Sequence, residues 1–222
     1  MASLTLAGVE LSRLTKVFAV TALVLTAAIS LFRWGCIGHP FGQAVPQSVF
    51  LAITLTGLLF AGFYRFGWRL GRLARWMGRP DLRGVWLGHL ASSYFKDGQP
   101  IPIVFVIPQT YPDISICSYT EKQRGQSTFE ALIQGNRHAI TVLAYIYELE
   151  RHYAGAQERV KGTGEVELLG GDRLRGFYWT NSPTHGSISL QRKSTEYNGV
   201  QNFEDAQQKW PSPEWSPPGT TK

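Results

Sequence analysis

Residues 178–192 read YWTNSPTHGSISLQR, which is two runs of alternating residues around a polar break at residues 181–186. The break contains the Asn, Ser, Pro and Gly that favour chain reversal. Because successive side chains of a strand point to opposite faces, the two runs predict an antiparallel β-hairpin. The hairpin indicates a β-domain, and similar runs precede it.

Eight such runs lie between residues 84 and 192, separated by short connections rich in Gly, Asn and Asp. Consecutive strands with hairpin-length connections favour a meander that closes into a small barrel. The predicted fold is an eight-stranded antiparallel up-and-down β-barrel. Its strands are VWLGHLASSYF (85–95), IPIVFVI (101–107), ISICSYT (114–120), STFEALI (127–133), ITVLAYIYEL (140–149), GEVELL (164–169), LRGFYWTN (174–181) and SISLQR (187–192).

Two uncharged segments precede the β-domain, at residues 17–32 and 45–64. Each approaches the ~20 residues that a helix needs to cross a bilayer. Arg and Lys flank the outer ends of the pair, so by the positive-inside rule both chain termini face the cytoplasm. The sequence predicts a membrane-anchored all-β protein in three parts: a two-helix transmembrane anchor with a basic stem (1–79), the barrel (84–192) and a disordered Pro-rich tail (193–222).

The formal charge of +6 is distributed unevenly along the chain. Residues 1–83 carry +7, residues 84–192 carry no net charge and residues 193–222 carry −1. The basic character therefore belongs to the membrane part. A barrel with no net charge lacks the excess of basic surface that neutralises the phosphates of DNA or RNA, which argues against a polymeric nucleic acid as partner. A small charged ligand needs only one or two placed Arg and remains compatible with this composition.

No residue pattern points to catalysis, a metal or a cofactor. None of the five histidines has zinc-ligand spacing or stands in a nucleophile motif. Cys36 and Cys117 have no evident partner, which favours a reducing compartment. Gly162-Thr163-Gly164 is too short for a phosphate-binding loop and lies in a strand-like run. We predict a binding protein, not an enzyme.

Several predicted strands mix aromatic and hydroxyl side chains. Gly176, Tyr178 and Thr180 share one face of their strand, and Tyr145 and Tyr147 share a face of another. One interpretation is a pocket for a ligand with flat rings and polar edges. The other is a filled barrel in which the Tyr hydroxyls reach the rim and Thr serves β-propensity. Composition alone leaves both open.

Four short motifs follow the two apolar segments in order. They are Gly84-x-Trp86-x-Gly88, Gln109-Thr110-Tyr111, Tyr145-x-Tyr147 and Gly176-x-Tyr178-x-Thr180…Thr184-x-Gly186. In this arrangement the chain, from about residue 11 to residue 192, resembles the two-transmembrane, β-strand-rich effectors associated with bacterial cGAS/DncV-like nucleotidyltransferases in CBASS anti-phage defence. One departure is Lys161, where many relatives have a His before the glycine.

The resemblance implies a function as well as a fold. The barrel would bind a cyclic di- or trinucleotide made by the partner nucleotidyltransferase upon infection. Binding would drive homo-oligomerisation of the helices and disruption of the cell inner membrane. The resemblance also implies that the chain has no catalytic residues.

Residue type and motif position predict eight ligand-binding residues. Tyr145 or Tyr178 would stack on a base, and Arg192 would meet a phosphate. Hydroxyl and amide groups would bind the base edges. The predicted set is Tyr111, Thr120, Ser127, Tyr145, Tyr178, Thr180, Asn181 and Arg192.

Two alternative functions belong to other classes of protein. Gly84-x-Trp86 is similar to the start of lipocalin-like barrels, which suggests a membrane-tethered binder of a hydrophobic small molecule. Such a binder would have a cavity lined with Leu, Val and Phe. The second alternative is a structural barrel without a cavity that serves protein contacts only.

Overall fold

A computed structural model describes residues 8–38, 40–67, 79–94, 99–134, 140–153, 156–182, 184–197 and 199–211. The chain forms two compact units, and the division between them falls at Arg79–Pro80. The first unit is helical and the second is built on β-strands.

The helical unit contains α1 (Gly8–Phe32) and α2 (Phe41–Arg65), joined through a π-helical turn at Arg33–Ile37. Apolar stretches of 26 and 21 residues in this unit are long enough to cross a membrane. The hydroxyls of Thr26 and Thr56 donate to carbonyls four residues earlier, at 2.8 Å and 2.7 Å, so these groups are satisfied within their own helix. The two apolar helices predicted from the sequence are confirmed.

The β-unit is a closed eight-stranded barrel in which every neighbouring pair is antiparallel and strands follow chain order. The first and last strands pair with each other and close it. This confirms the predicted architecture. The strands are β1 (Gly84–Ser92), β2 (Ile101–Ile107), β3 (Cys117–Tyr119), β4 (Gln123–Gln134), β5 (Thr141–Tyr153), β6 (Ala156–Leu169), β7 (Arg173–Thr180) and β8 (His185–Ser194).

Strands β4, β5 and β6 are longer than the apolar runs that predicted them. β6 begins at Ala156, whereas the predicted run begins at Gly164. The additional residues are mostly polar and charged, and β5 pairs with them throughout. Backbone hydrogen bonding to a long neighbour extends a strand beyond its apolar pattern.

One end of the barrel is filled by a buried, apolar core. Trp86 is fully buried there, and its indole Nε1 donates to the carbonyl of Leu82 at 2.9 Å. The Arg192 guanidinium lies 4.5 Å from the centroid of the Trp86 ring and donates to the carbonyl of Asp81. Ile107, Ile114, Ile116, Leu174 and Leu190 complete this core.

The chain enters the β-unit through this closed end and is held there by buried hydrogen bonds. Gln109 accepts from the Leu82 amide at 2.7 Å and donates to the Pro80 carbonyl at 2.9 Å. Burial alone would raise the pKa of the Asp81 carboxyl, but the hydrogen bonds and positive charge of Arg83 outweigh burial and lower it. The leading segment is therefore fixed to the base of the barrel.

The C-terminal segment differs from the predicted disordered tail over its first part. Residues 199–211 are described and include α3 (Phe203–Lys209), whose first turn is capped by the Asn202 side chain accepting from the Asp205 amide at 2.7 Å. Residues 212–222 lie outside the described residues. The order arises because apolar side chains recur every three or four positions and cover an outer face of β1, β2 and β3. These side chains are Tyr197, Val200, Phe203, Ala206 and Trp210, against Val85, Leu87, Val104, Val106 and Tyr119.

We expect the substitution Ala206→Glu to detach this segment, because Ala206 is fully buried against the barrel and an unpaired carboxylate is costly to desolvate. The free energy of unfolding should fall by about 2 kcal/mol or more. Thermal and denaturant unfolding of the full chain would measure it. Gln207→Glu, at an exposed position of the same helix, is the matched control and should change stability little. Equal effects of the two substitutions would contradict the docking.

Candidate functional site

The other end of the barrel contains a cavity of about 530 Å³. This volume lies in the range of small-molecule sites. The β1–β2, β3–β4 and β7–β8 connections surround its mouth. Its apolar lining is Leu90, Pro100, Ile101, Pro102, Ile103, Phe105, Leu149 and Ile188. Its polar and aromatic lining is Ser92, Tyr94, Gln99, Ser118, Thr120, Glu121, Lys122, Gln123, Tyr145, Tyr147, Tyr178, Thr180 and Thr184.

Two tyrosines of β5 form one wall of the cavity. The rings of Tyr145 and Tyr147 have centroids 5.8 Å apart and planes inclined by 39°. The Phe105 ring meets Tyr145 edge-on at 6.0 Å. The contacts hold these rings in place, so they offer a preformed aromatic surface to a flat ligand.

Glycines opposite the tyrosines make room for the rings. Gly162 and Gly164 of β6 are the register partners of Tyr147 and Tyr145. A Cβ on Gly162 would stand 2.4 Å from the Tyr147 ring, and one on Gly164 would stand 2.5 Å from the Tyr145 ring. Any side chain at either position would displace a tyrosine. The Gly162-Thr163-Gly164 motif therefore shapes the cavity wall and does not form a phosphate loop.

The same relation recurs on the β7–β8 side. Gly186 is the register partner of Tyr178, and a Cβ there would stand 2.7 Å from the ring and 1.8 Å from the Ala91 carbonyl oxygen. Tyr178 is thus seated against backbone as Tyr145 and Tyr147 are. Three tyrosines packed on three glycines enclose the hollow.

The hydroxyls of Tyr145 and Tyr178 in the cavity stay protonated at physiological pH. Burial raises the pKa of the Tyr145 phenol well above its ordinary value, and the neighbouring Tyr147 and Tyr178 raise it further. Burial also raises the pKa of Tyr178, and a hydrogen bond with Ser92 partly offsets that rise. The site therefore presents neutral hydroxyl groups that both donate and accept hydrogen bonds.

Charged side chains occur only at the mouth among the described lining residues, as Glu121 and Lys122 of the β3–β4 turn. Both are exposed. The interior is therefore suited to uncharged rings and polar edges, and an anionic group of a ligand would be stabilised best near Lys122.

Four of the predicted binding residues line this cavity together: Thr120, Tyr145, Tyr178 and Thr180. They come from three elements far apart in the sequence. The Thr180 hydroxyl also donates to the Ser182 carbonyl at 2.7 Å and contacts the Thr184 hydroxyl, which orders the β7–β8 turn at the mouth.

The structure places the other four elsewhere. Tyr111 is buried in the β2–β3 connection at the closed end, and Arg192 is held there by Trp86 and Asp81. Ser127 accepts from the Ile116 amide at 2.7 Å and donates to Glu130. Asn181 is exposed and accepts from the Lys161 amide at 3.2 Å. These side chains hold the barrel together, and none of them lines the cavity.

The predicted set omitted several lining residues, notably Tyr147, Ser118 and Lys122. Tyr147 could have been predicted from the sequence. The pairs Tyr145-x-Tyr147 and Gly162-x-Gly164 have the same spacing and align across adjacent strands, so both tyrosines face the same side of the sheet. The Lys161 side chain lies on the outer face, where it pairs with Glu148 at 3.0 Å. Lys161 therefore does not line the cavity.

A comparison with protein families gives one match. The family model described as Cap15, cyclic dinucleotide receptor domain, matches residues 77–192, which is more than half of the chain. The matched part contains the whole cavity lining. No curated protein matches the chain significantly.

We expect Gly164→Ala to destabilise the barrel, because the new methyl group would overlap the Tyr145 ring. The free energy of unfolding should fall by about 1–3 kcal/mol, the usual cost of overpacking. Denaturant unfolding measures it. Thr163→Ala, on the exposed outer face between the two glycines, is the matched control and should lie within about 0.5 kcal/mol of the parent.

We expect the barrel to lose stability as the pH rises above the ordinary tyrosine pKa of about 10. The raised pKa of Tyr145 keeps it protonated in the fold while the unfolded chain ionises, so its contribution is complete below pH about 10 and declines above it. Tyr145→Phe should show a shallower decline. The free energy of unfolding measured at intervals from neutral to alkaline pH tests this, and equal slopes would contradict it.

Proposed function

The chain belongs to the Cap15 family of cyclic dinucleotide receptor domains of CBASS effectors, and we propose that it is a membrane effector gated by ligand binding in the barrel cavity. Binding of a cyclic dinucleotide would assemble the membrane helices and disrupt the inner membrane. The observation that carries the proposal is a cavity of about 530 Å³ with rigid tyrosine walls and neutral hydroxyl donors. The chain acts by binding, and we propose no catalytic step.

The bases of the ligand would lie in the interior of the cavity. Tyr145, Tyr147 and Tyr178 offer ring surfaces, and stacking of a base on an aromatic side chain contributes about 1–3 kcal/mol. Ser118, Thr120 and Thr180 line the same space and are within the class of groups that bind base edges.

The phosphates would lie toward the mouth. The described interior lining contains no cation, whereas Lys122 stands at the rim. A phosphate pushed among the tyrosines would lose its hydration without a compensating charge. We therefore assign the phosphate contact to Lys122, since Arg192 is committed to the closed end.

Assembly in the membrane is the second step of the proposal. The basic flanks of the helices favour a cytoplasmic location of both termini and of the barrel, where a cGAS/DncV-like nucleotidyltransferase would release the messenger. On α2, a Cβ at Gly57 would meet nothing within 4 Å, and Ala61 follows four residues later. Small residues at this spacing let helices of different copies approach closely. A ligand shifts this equilibrium only by its preference for the assembled state.

A lipocalin-like binder of hydrophobic ligands would have an aliphatic cavity. The cavity has an aliphatic part, but eleven of its 21 lining residues are Ser, Thr, Gln or Tyr, whose hydroxyl and amide groups a purely aliphatic pocket lacks. Native mass spectrometry of the purified chain distinguishes the two functions by the bound molecule, nucleotide or lipid.

We expect titration calorimetry of the full chain in detergent with cyclic di-AMP, cyclic di-GMP and cyclic GMP–AMP to detect binding of at least one. Tyr147→Leu should weaken binding of that ligand about 10–100-fold, because a stacking surface is lost. Lys122→Ala should weaken binding several-fold and reduce the salt dependence of binding. Lys161→Ala, on the outer face, is the matched control.

The same ligand should release dye from liposomes that contain the full chain, and Lys122→Ala should need a correspondingly higher concentration. Leakage that is indifferent to every cyclic dinucleotide would reject gating. Binding without leakage would leave the receptor function and reject the membrane step.

A further inference from the structure

Large apolar side chains lie exposed on the outer face of β4, β5 and β7. Phe129, Ile146 and Trp179 stand in one row across the sheet, with Thr163 of β6 between the last two. Phe177 and Ile133 extend the patch along their strands. Each of the five large side chains is between 44 % and 60 % exposed. Monomeric proteins seldom leave such a contiguous patch uncovered without a use for it.

The opposite outer face shows how this barrel treats apolar surface. Val85, Leu87, Val104 and Val106 also point outward, but the C-terminal segment with α3 buries them. The chain thus covers one outer face itself, and among the described residues nothing covers the patch on β4–β7.

The charges around the patch favour one kind of partner. Glu165 and Glu167 of β6 adjoin it, and Arg173 and Arg175 lie beside them on β7. Two charges of each sign give no net charge. A surface that binds anionic lipid carries an excess of Lys and Arg, so this face is poorly suited to the membrane. A face with both signs in adjacent columns is suited to meet a copy of itself.

We infer that the β6–β7 part of this outer face docks onto the same part of a second copy of the chain. A two-fold axis parallel to the strands, between β6 and β7, places β6 of each copy against β7 of the other. Because Glu167 and Arg175 are register partners, each Glu167 then meets Arg175 of the second copy. Thr163, likewise in register with Trp179, leaves room for the Trp179 ring of the second copy.

This geometry keeps the two barrels side by side with their axes parallel. Both chains then enter their barrels at Pro80 from the same end, as two copies anchored in one bilayer require. An antiparallel arrangement would point the two leading segments in opposite directions.

The size of the patch indicates how strong the contact is. With the axis between β6 and β7 the facing strands are β5 to β8, so the contact includes Ile146, Phe177 and Trp179, and Phe129 and Ile133 of β4 lie outside it. Four strands about 4.8 Å apart and four residues at about 3.4 Å each give a face of roughly 14 Å by 14 Å. A stable dimer in solution buries about 800 Å² on each partner. The contact is therefore weak in solution and forms when tethering to a membrane raises the effective concentration.

The inference rests on the proposed assembly step, and its test uses complementary charge reversal. Full-length copies labelled with donor and acceptor dyes are reconstituted in phosphatidylethanolamine–phosphatidylglycerol vesicles, and energy transfer is measured with each of the three cyclic dinucleotides. In E167R alone or R175E alone, like charges face each other across the axis, so transfer should fall at least five-fold. When donor-labelled E167R is mixed with acceptor-labelled R175E, every facing pair is again opposite in sign, and transfer should return.

The mixture separates an interface from a folding defect, because neither chain changes its own sequence on mixing. Transfer that persists in the single variants, or that fails to return in the mixture, overturns the inference. Gln207→Glu, exposed on α3 at the opposite outer face, is the control and should transfer like the parent. Calorimetric titration of the same variants shows whether ligand binding survives. If the parent binds no cyclic dinucleotide, the proposed function is contradicted. If binding is intact and energy transfer in E167R and R175E equals that of the parent, only the proposed interface is contradicted.

Discussion

The contact between tyrosine rings and glycine backbone is the constraint on which the cavity depends. In a barrel of eight strands the interior has room for little more than its own side chains. Gly162, Gly164 and Gly186 contribute no side-chain volume, and the rings of Tyr147, Tyr145 and Tyr178 lie against them. The rings form the wall without filling the centre. The absence of side chains at these positions of β6 and β8 thus provides both the space and the flat surface that a nucleobase needs.

One end of the barrel stabilises the fold, and the other end forms the cavity. Trp86, Leu82 and the isoleucines around them fill the closed end, and Arg192 covers the indole. Since this end is buried and apolar, its packing stabilises the barrel. The open end can then carry hydroxyls and a hollow, both of which cost stability, without loss of the fold. The segment that directly precedes β1 joins the closed end, not the binding end.

The outside of the barrel is divided in the same way. The chain's own C-terminal segment covers the apolar face of β1–β3, and the face of β4–β7 is left for another molecule. A β-bulge between Ser127 and Phe129 contributes to this division, because the shift of register turns Phe129 outward and Glu130 inward. A receptor with its ligand in the interior can use the exterior for assembly, so the two functions need not compete for the same residues.

The sequence by itself determined the two apolar helices, the eight strands and their meander order, because these follow from segment length, alternation and turn residues. Only the tertiary structure decided which face of each strand points inward, because closure and the bulge set the register, and a one-residue shift exchanges the faces. That is why Thr120, Tyr145, Tyr178 and Thr180 meet in the cavity while Arg192 lies against Trp86 at the other end. The tertiary structure also decided that α3 forms, since a short amphipathic segment becomes helical only when it packs on an apolar surface.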